Sequence, residues 1–359
     1  MDTTQLNSEP VDNLHVRELT PLQSPAELRA QLPTPGEALH TVATARATIR
    51  RILQREDPRL LVVIGPCSIH DPQAAMDYAR RLQRLHHELS GQLFIIMRAY
   101  LEKPRTTVGW RGLINDPHLD GSFDMHAGLA IARRLLIEMN ALGLPVATEM
   151  LDPISPQYLD DQISLGTIGA RTSEAQTHRA LASGVSMPVG FKNGTDGGIQ
   201  VAVNGCVTAA GQHSFLGIDE RGQSAVVKTT GNPDSFVILR GGRGGPNYQA
   251  EHVALAARLL REAQRRPAVM IDCSHANTGG DYTLQESVWH NVIGQVVAQP
   301  EPIVGLMVES NLHEGKQPLP AERSALRYGV SLTDGCIGWE QTERLLREAG
   351  ETLARSGHS

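Results

Sequence analysis

Eight short apolar runs, rich in β-branched residues, recur along the chain and alternate with long amphipathic segments. Near-continuous apolar strands separated by helices indicate parallel strands that are buried on both faces. Eight such strands in roughly 290 residues predict a closed (β/α)8 barrel, the TIM-barrel class of α/β fold. The eight runs are residues 60–65, 93–99, 145–150, 163–170, 188–192, 235–240, 268–273 and 303–309.

An open doubly wound sheet is the alternative fold, but no G-x-G-x-x-G follows any of the strands, so its dinucleotide-binding form lacks support. Residues 214–218 and 224–230 flank a polar turn and predict a β-hairpin, inserted near 213–230. Residues 1–33 are polar and aperiodic, which predicts an N-terminal arm before a barrel domain at 34–359. Thr34, Pro35 and Glu37 predict a capped helix start.

Charge and apolar patterning exclude several classes of protein. The formal charge is -6, and no basic run is long enough for a nucleic-acid footprint. The longest apolar run, 60–64, is far too short to span a bilayer, and no leader pattern is present, so we expect a cytoplasmic protein without a membrane partner. The four cysteines lack C-x-x-C spacing, which predicts free thiols.

Each predicted strand ends in a reactive side chain, and chemistry in this fold lies at the carboxyl ends of the strands. For any single residue, the ordinary interpretation is a solvated charge or a packed thiol, but all eight lie at the same end. In chain order they are Cys67, Arg98, Glu149, Arg171, Lys192, Arg240, His275 and Glu309.

These residues divide by chemistry. Four cations that converge on one mouth would repel one another, so we expect a ligand with several negative charges, such as a phosphate with a carboxylate; the four are Arg98, Arg171, Lys192 and Arg240. Cys67, His275 and Glu309, with Asp334 after the last strand, suit one divalent metal ion, and Mn, Fe, Co or Zn fit better than Mg. Their spacing matches no short metal motif, and a structural histidine is the alternative for His275.

The long loop 102–117 after the second strand carries Lys103, Arg105 and Thr106, and loops of this length in compact domains are usually functional. We predict a second phosphate clamp there; an ordinary surface turn is the alternative. Two Gly-rich segments, 190–198 and 239–248, are consistent with close backbone approach to an anion, although each alone is a weak motif.

Seven motifs contain or flank these residues, namely GPCSIHD (65–71), MRAYLEKPRTTVGW (97–110), GARTSEAQ (169–176), PVGFKNGTDG (188–197), DCSHAN (272–277), MVESNLHEGKQ (307–317) and SLTDGCIGW (331–339). Together they resemble 3-deoxy-D-arabino-heptulosonate-7-phosphate (DAHP) synthase, the microbial type I enzyme that opens the shikimate pathway to chorismate and the aromatic amino acids. The resemblance runs from about residue 33 to the last helix.

The resemblance implies a transferase that condenses phosphoenolpyruvate with erythrose 4-phosphate and releases phosphate. It implies that Lys103 stands between the substrates, Arg105 and Thr106 hold the aldose phosphate, and Glu149 positions a water. By the same similarity, the metal is held by Cys67, His275, Glu309 and Asp334, and phosphoenolpyruvate is surrounded by Arg98, Arg171, Lys192 and Arg240.

The resemblance also implies feedback inhibition by an aromatic amino acid and a homodimer or homotetramer. The expected effector site involves Ser186, Phe215 and Gly217, where a glycine leaves room for a larger or more polar ring than phenylalanine, which favours tyrosine. Two departures from the family pattern are one extra residue in the 241–246 loop and Leu101 in place of an aromatic residue.

Three alternative functions remain. One is the octulosonate-8-phosphate synthase, whose sugar loop carries Asn-Arg where this chain has Pro104-Arg105. The second is a catalytically silent, amino-acid-binding barrel, which would tolerate loss of metal ligands. The third is a generic metal-dependent aldolase.

The basic residues comprise 29 arginines but only four lysines. Codon bias explains most of the arginines. Lys103 and Lys192 fall inside the predicted site, which suggests that a compact ammonium is needed there.

Overall fold

The computed structural model describes residues 11–105, 107 and 109–357, and its eight parallel strands close into a barrel. The barrel strands are β1 (Leu60–Gly65), β2 (Leu93–Arg98), β3 (Val146–Glu149), β4 (Leu165–Ile168), β5 (Val189–Lys192), β8 (Ser235–Leu239), β9 (Val269–Asp272) and β10 (Ile303–Glu309). Around the barrel their order is β1-β10-β9-β8-β5-β4-β3-β2. All eight predicted strands and the predicted closure are therefore confirmed.

Ten α-helices occur in the described part of the chain, and most of them link successive strands. They are α1 (Pro25–Gln31), α2 (Gly36–Gln54), α3 (Pro72–Glu88), α4 (Met125–Ala141), α5 (Ser155–Leu159), α6 (Gln176–Ala182), α7 (Gln200–Ala209), α8 (Ala250–Glu262), α9 (Gln285–Ala298) and α10 (Trp339–Arg355). Short 3-10 turns lie at Asp160–Gln162, His275–Asn277, Tyr282–Leu284 and Arg323–Ala325. Within the described ranges, no helix is long and apolar enough to cross a membrane.

Side chains alternate between the interior of the barrel and its helical shell, as a period of two requires. On β1, Leu61 and Val63 pack in an interior cluster, whereas Val62 and Ile64 pack with the surrounding helices. Ala45, Ile49 and Ile52 of α2 belong to the same interior cluster and close the amino-terminal end of the barrel. Access to the interior is thereby directed to the carboxyl ends of the strands.

The predicted hairpin is also confirmed. Strands β6 (Ser214–Ile218) and β7 (Ser224–Lys228) pair antiparallel outside the barrel, with Phe215 opposite Val227 and Gly217 opposite Ala225. The turn of the hairpin contacts the arm, because Ala26 N–H donates to Glu220 O at 2.9 Å.

The N-terminal arm contains a helix that the sequence analysis did not predict. Ser24 and Glu27 form a reciprocal capping box at the start of α1, in which each side chain accepts from the other residue's backbone N–H. The capping box predicted at Thr34 and Glu37 is wrong: α2 begins at Gly36. The Thr34 oxygen accepts from Arg133 Nη2 and Gln162 Nε2 instead of the helix backbone. Its hydroxyl donates to Asp161 Oδ2 at 3.0 Å, which ties residue 34, directly after the arm, to the 3-10 turn after α5.

Candidate active site

The reactive side chains at the strand ends point into the barrel, and the alternation of side chains along each strand explains why. Arg98 follows Phe94 and Ile96 on β2, and Glu309 follows Met307 on β10, two residues after an interior side chain in each case. The same spacing places Glu149 after Ala147. Apolar residues fill the lower layers of the barrel, and charged residues replace them in the last layer below the mouth.

Above this layer lies a cavity of about 540 Å³ that opens at the carboxyl ends of the strands. Eight of the predicted site residues line it, namely Lys103, Arg105, Glu149, Arg171, Lys192, Arg240, His275 and Asp334. Cys67, Arg98 and Glu309 are fully buried next to it, and Thr106 lies outside the described residues. Thr107, Ser274, Tyr282 and Lys316, which the sequence analysis did not single out, also line the cavity.

Three of the four predicted metal ligands converge. The ligand atoms of Cys67, Glu309 and Asp334 all lie within 4.8 Å of one another, and Cys67 Sγ is 3.6 Å from Asp334 Oδ2. His275 joins from one side, with Nε2 3.7 Å from Glu309 Oε1. A thiol and two carboxylates around one point, with an imidazole beside them, form a donor set that fits a borderline divalent ion.

The pKa values of Cys67 and Glu309 bear on metal binding in different ways. Burial, reinforced by the Glu309 carboxylate, raises the pKa of the Cys67 thiol to about 11. A metal ion would have to displace that proton, as metal binding to thiols generally does. Burial alone would raise the pKa of Glu309, but the His275 ring and the Arg98 guanidinium outweigh it and lower that pKa to about 2. Glu309 is therefore ionised at neutral pH.

The expectation of four mutually repelling cations is wrong for two of them. Arg98 Nη2 lies 2.8 Å from Glu309 Oε1, and Lys192 Nζ lies 2.7 Å from Asp272 Oδ2. The guanidinium of Arg98 also donates to the carbonyl oxygens of Pro66 and Cys67 and stacks on the Tyr100 ring, 3.5 Å from its centroid. Buried carboxylates thus neutralise Arg98 and Lys192. Arg171 and Arg240 line the cavity, as predicted.

Asp272 is the functional candidate that the sequence analysis missed. Its carboxylate is fully buried, with Oδ2 near Lys192 and 3.0 Å from His275 Nδ1, while Oδ1 accepts from Ser274 N–H. Burial would raise the pKa of Asp272, but the His275 ring and Lys192 hold it well below its ordinary value. The sequence feature that could have identified Asp272 is the alternation of side chains on β9, because Met270, two residues earlier, points into the barrel.

Lys103 is buried at the inner end of the long loop, where its Nζ donates to Cys67 O at 3.2 Å. Burial opposes the charged form, but Cys67 and Glu309 outweigh it and raise the pKa of Lys103 above its ordinary value. The side chain is therefore an ammonium at neutral pH, placed between the candidate metal ligands and the cavity.

Glu149 carries a buried oxygen, Oε1, for which the described residues supply no hydrogen-bond partner. An orphaned carboxylate oxygen at a cavity wall is typical of a functional site. A Cβ at Gly169 would overlap this oxygen, so only glycine leaves the carboxylate where it is.

The two Gly-rich segments pack against each other. A Cβ at Gly242 would overlap the backbone of Gly197, and Arg243 N–H donates to Thr195 O at 3.0 Å. Gly242 and Gly197 therefore serve loop-to-loop packing, and the approach of these segments to an anion stays a prediction. The same packing supports Arg240, whose backbone N–H donates to Asn193 Oδ1.

The predicted effector residues lie away from the cavity. Ser186 O accepts from Arg50 Nη2 at 2.9 Å, while Phe215 and Gly217 lie on β6. A Cβ at Gly217 would lie 2.8 Å from Val227 Cγ2, so the neighbouring strand fills part of the room beside this glycine.

Comparisons with known proteins agree on one family. A sequence model of the DAHP synthetase I family matches residues 37–347. The Tyr-sensitive phospho-2-dehydro-3-deoxyheptonate aldolase of Escherichia coli K12 is 52% identical over 97% of this chain and 98% of its own. The Phe-sensitive enzyme of that strain is also 52% identical, over 96% of this chain and 99% of its own. A solved phospho-2-dehydro-3-deoxyheptonate aldolase from Francisella tularensis SCHU S4 superposes with a TM-score of 0.92 at 43% identity, covering 94% of this chain and 98% of its own.

Proposed function

Because the chain belongs to the DAHP synthetase I family, we propose that it is a phospho-2-dehydro-3-deoxyheptonate aldolase. In this reaction, phosphoenolpyruvate and D-erythrose 4-phosphate give DAHP and inorganic phosphate. The observation that carries the proposal is the single cavity in which lining cations, an orphaned carboxylate and a buried ammonium surround a metal-binding donor set.

Phosphoenolpyruvate is a small trianion, and Arg171, Arg240 and Lys192, which line the cavity wall, are the cations that would face it. Arg98 lies beneath the floor, so its predicted contact with this substrate stays a prediction. Arg105 lines the outer part of the cavity and would hold the phosphate of erythrose 4-phosphate, with Thr106 as its predicted partner.

The metal would be held by Cys67, His275, Glu309 and Asp334, and the family is one of metal-dependent enzymes. When bound there, a divalent ion supplies Lewis-acid polarisation of the aldehyde. The mixed donor set supports Mn, Fe, Co or Zn.

The protein's own groups then account for the proton transfers. The C3 carbon of phosphoenolpyruvate attacks C1 of the aldose, a C–C bond forms, and the Lys103 ammonium gives a proton to the new alkoxide. Water adds to the electron-poor C2, and Glu149 orients that water and takes its proton. The C2–O bond to phosphate then breaks, phosphate leaves with the bonding electrons, and the hydroxyl at C2 loses its proton to become the ketone.

A phosphate-release assay tests this function. Phosphoenolpyruvate is supplied with erythrose 4-phosphate or with arabinose 5-phosphate, each with and without a chelator. We expect chelator-sensitive release with erythrose 4-phosphate alone. Release with arabinose 5-phosphate would favour the octulosonate-8-phosphate synthase, and no release with either sugar would favour a silent regulatory barrel.

We also propose feedback inhibition by tyrosine at Ser186, Phe215 and Gly217. The Tyr-sensitive name of one relative supports it, although another relative of equal identity is named Phe-sensitive. Assays with tyrosine, phenylalanine and tryptophan separate the effectors, and inhibition by phenylalanine alone would contradict the assignment.

For the assembly, we propose a homodimer or homotetramer in which the arm, residues 1–33, contacts another subunit. Exposed apolar side chains along its described part support this: Val11, Leu14, Val16 and Leu19. Light scattering of the full chain and of a chain that begins at residue 23 tests it. The shortened chain should form a smaller species.

A further inference from the structure

One carboxylate oxygen serves two functional groups at the floor of the cavity. Asp272 Oδ2 lies 2.7 Å from the ammonium of Lys192 and 3.0 Å from Nδ1 of His275. Asp272 has no exposed surface, so water does not share this oxygen. The second oxygen, Oδ1, is occupied by the backbone N–H of Ser274 at 3.0 Å.

We propose that Asp272 is a positioning residue that couples the anion-binding lysine to the metal-ligating histidine through this shared oxygen. The inference rests on the proposed function, in which Lys192 faces phosphoenolpyruvate and His275 ligates the metal. Asp272 does not line the cavity, so in this proposal it contacts neither substrate nor metal.

The first consequence concerns the histidine. Oδ2 lies 3.0 Å from Nδ1, but the ring makes no aligned hydrogen bond to it, so the contact is one of charge. A carboxylate on the Nδ1 side leaves Nε2 free to ligate, and such partners orient metal-binding imidazoles. Nε2 is the nitrogen that faces Glu309, at 3.7 Å. The backbone of His275 has a φ of 58°, in the left-handed region that a non-glycine residue adopts only when its surroundings hold it there.

The second consequence is a coupling between the two sites. When an anionic substrate draws the Lys192 ammonium toward itself, Oδ2 is left to the imidazole alone and holds the His275 ring more firmly in its ligating orientation. Phosphoenolpyruvate should therefore tighten metal binding. By linkage, the metal tightens phosphoenolpyruvate binding by the same factor.

The test uses Co²⁺ as the probe, because thiolate–Co²⁺ absorption reports binding without any turnover. The affinity of the full chain for Co²⁺ is measured with and without phosphoenolpyruvate in the wild type, D272N, K192M and D272N/K192M. Asp57→Asn is the matched control, since Asp57 is also buried and bonded to a cation, Arg59, but lies before β1 at the opposite end of the barrel.

D272N should weaken Co²⁺ binding by about 10- to 100-fold, the usual effect of losing a partner of a ligating histidine. K192M should keep at least wild-type Co²⁺ affinity, because His275 then has Oδ2 to itself, but phosphoenolpyruvate should no longer tighten it. D272N/K192M should bind Co²⁺ as weakly as D272N does, and D57N should resemble the wild type. The double variant removes the unpaired buried ammonium, so it supplies the result if D272N alone fails to fold.

The outcomes separate the inference from the function on which it rests. If the wild type binds no Co²⁺ and releases no phosphate, the proposed function fails. If the wild type does both but D272N and the double variant bind Co²⁺ normally, Asp272 positions nothing. A loss of Co²⁺ affinity in K192M as large as that in D272N would also overturn the coupling.

Discussion

Arg98 and Glu309 form an ion pair that is wholly buried, with Nη2 2.8 Å from Oε1 and no exposed surface on either side chain. The pair spans the barrel interior between β2 and β10 and fixes one candidate metal ligand from below. The other Glu309 oxygen, Oε2, accepts from Ser274 Oγ at 2.8 Å. Both oxygens of this carboxylate are thus held in place before any ligand arrives.

The first prediction follows from this pair. Arg98→Met should destabilise the fold by about 3–5 kcal/mol, because it leaves an uncompensated carboxylate in the interior. Urea unfolding in the presence of a chelator measures the loss. Arg258→Met is the control, since Arg258 forms an exposed pair with Glu262 on α8 that is worth about 0.5 kcal/mol at most. Equal losses in the two variants would mean that the buried pair contributes nothing special.

Gly169→Ala should reduce kcat by about 10²-fold, because the new methyl group would overlap Glu149 Oε1 and displace the carboxylate by the order of an ångström. Steady-state kinetics and a thermal melt on the same preparation separate lost positioning from lost stability. Gly244→Ala is the matched control in a mouth loop, where a Cβ meets no described atom within 4 Å. Full activity in Gly169→Ala would show that the position of the Glu149 carboxylate does not matter for the reaction.

Cys67→Ala should abolish metal-dependent turnover, because the remaining ligands hold a borderline ion weakly. The measurements are phosphate release and the metal content of the purified protein after dialysis. Cys206→Ala is the control: this buried thiol lies on α7, so its loss should cost only packing stability, about 1 kcal/mol. Wild-type activity of the unaltered protein after complete chelation would contradict the metal assignment.

The barrel was predictable because each strand is both apolar and β-branched and is followed by an amphipathic segment. The site was predictable to the extent that it follows strand ends. Asp272 was missed because only one residue was taken from each strand end, and His275 represented the seventh. Asp272 lies two residues after Met270, so the alternation along β9 already placed both side chains on the interior face.

The pairings were not predictable in the same way. Whether Lys192 is a free cation or half of an ion pair depends on the distance between β5 and β9 across the interior, which no local pattern encodes. The capping signals show the same limit. Thr34 has the right spacing from Glu37, but an N-cap oxygen must accept from the helix backbone. The Thr34 oxygen accepts instead from the side chains of Arg133 and Gln162, 99 and 128 positions away.

Lys103→Arg and Lys192→Arg should each lower kcat/KM by about 10²-fold or more, the range for a lost proton donor at Lys103. Both ammonium groups are buried, and a planar guanidinium does not fit a site shaped for a compact charge. Lys228→Arg on the hairpin strand β7 is the matched control and should be tolerated. Equal tolerance at all three positions would mean that codon bias alone explains the scarcity of lysine and that Lys103 and Lys192 have no special role.

Glu102 gives a prediction about pH, because burial raises the pKa of its carboxyl to about 7, with Asp152 and Glu149 adding to the effect. The unfolded chain has the ordinary value of about 4.3. The folded state therefore keeps a proton that the unfolded state releases. The stability from this proton is fully present below about pH 4.3, falls as the pH rises, and is lost above about pH 7.

Glu102→Gln mimics the protonated side chain and can still accept from Ser155 Oγ, now 2.8 Å from Oε2. Relative to the wild type, the variant should gain about 1 kcal/mol at pH 5 and roughly 3–4 kcal/mol at pH 8. Chemical unfolding of both proteins across this range, with a chelator present, measures the difference. Glu262→Gln, at an exposed position on α8, should give a difference from the wild type that hardly changes over the same range. Parallel stability curves for Glu102→Gln and the wild type would show that Glu102 is ionised in the folded protein throughout, and that its burial does not hold a proton.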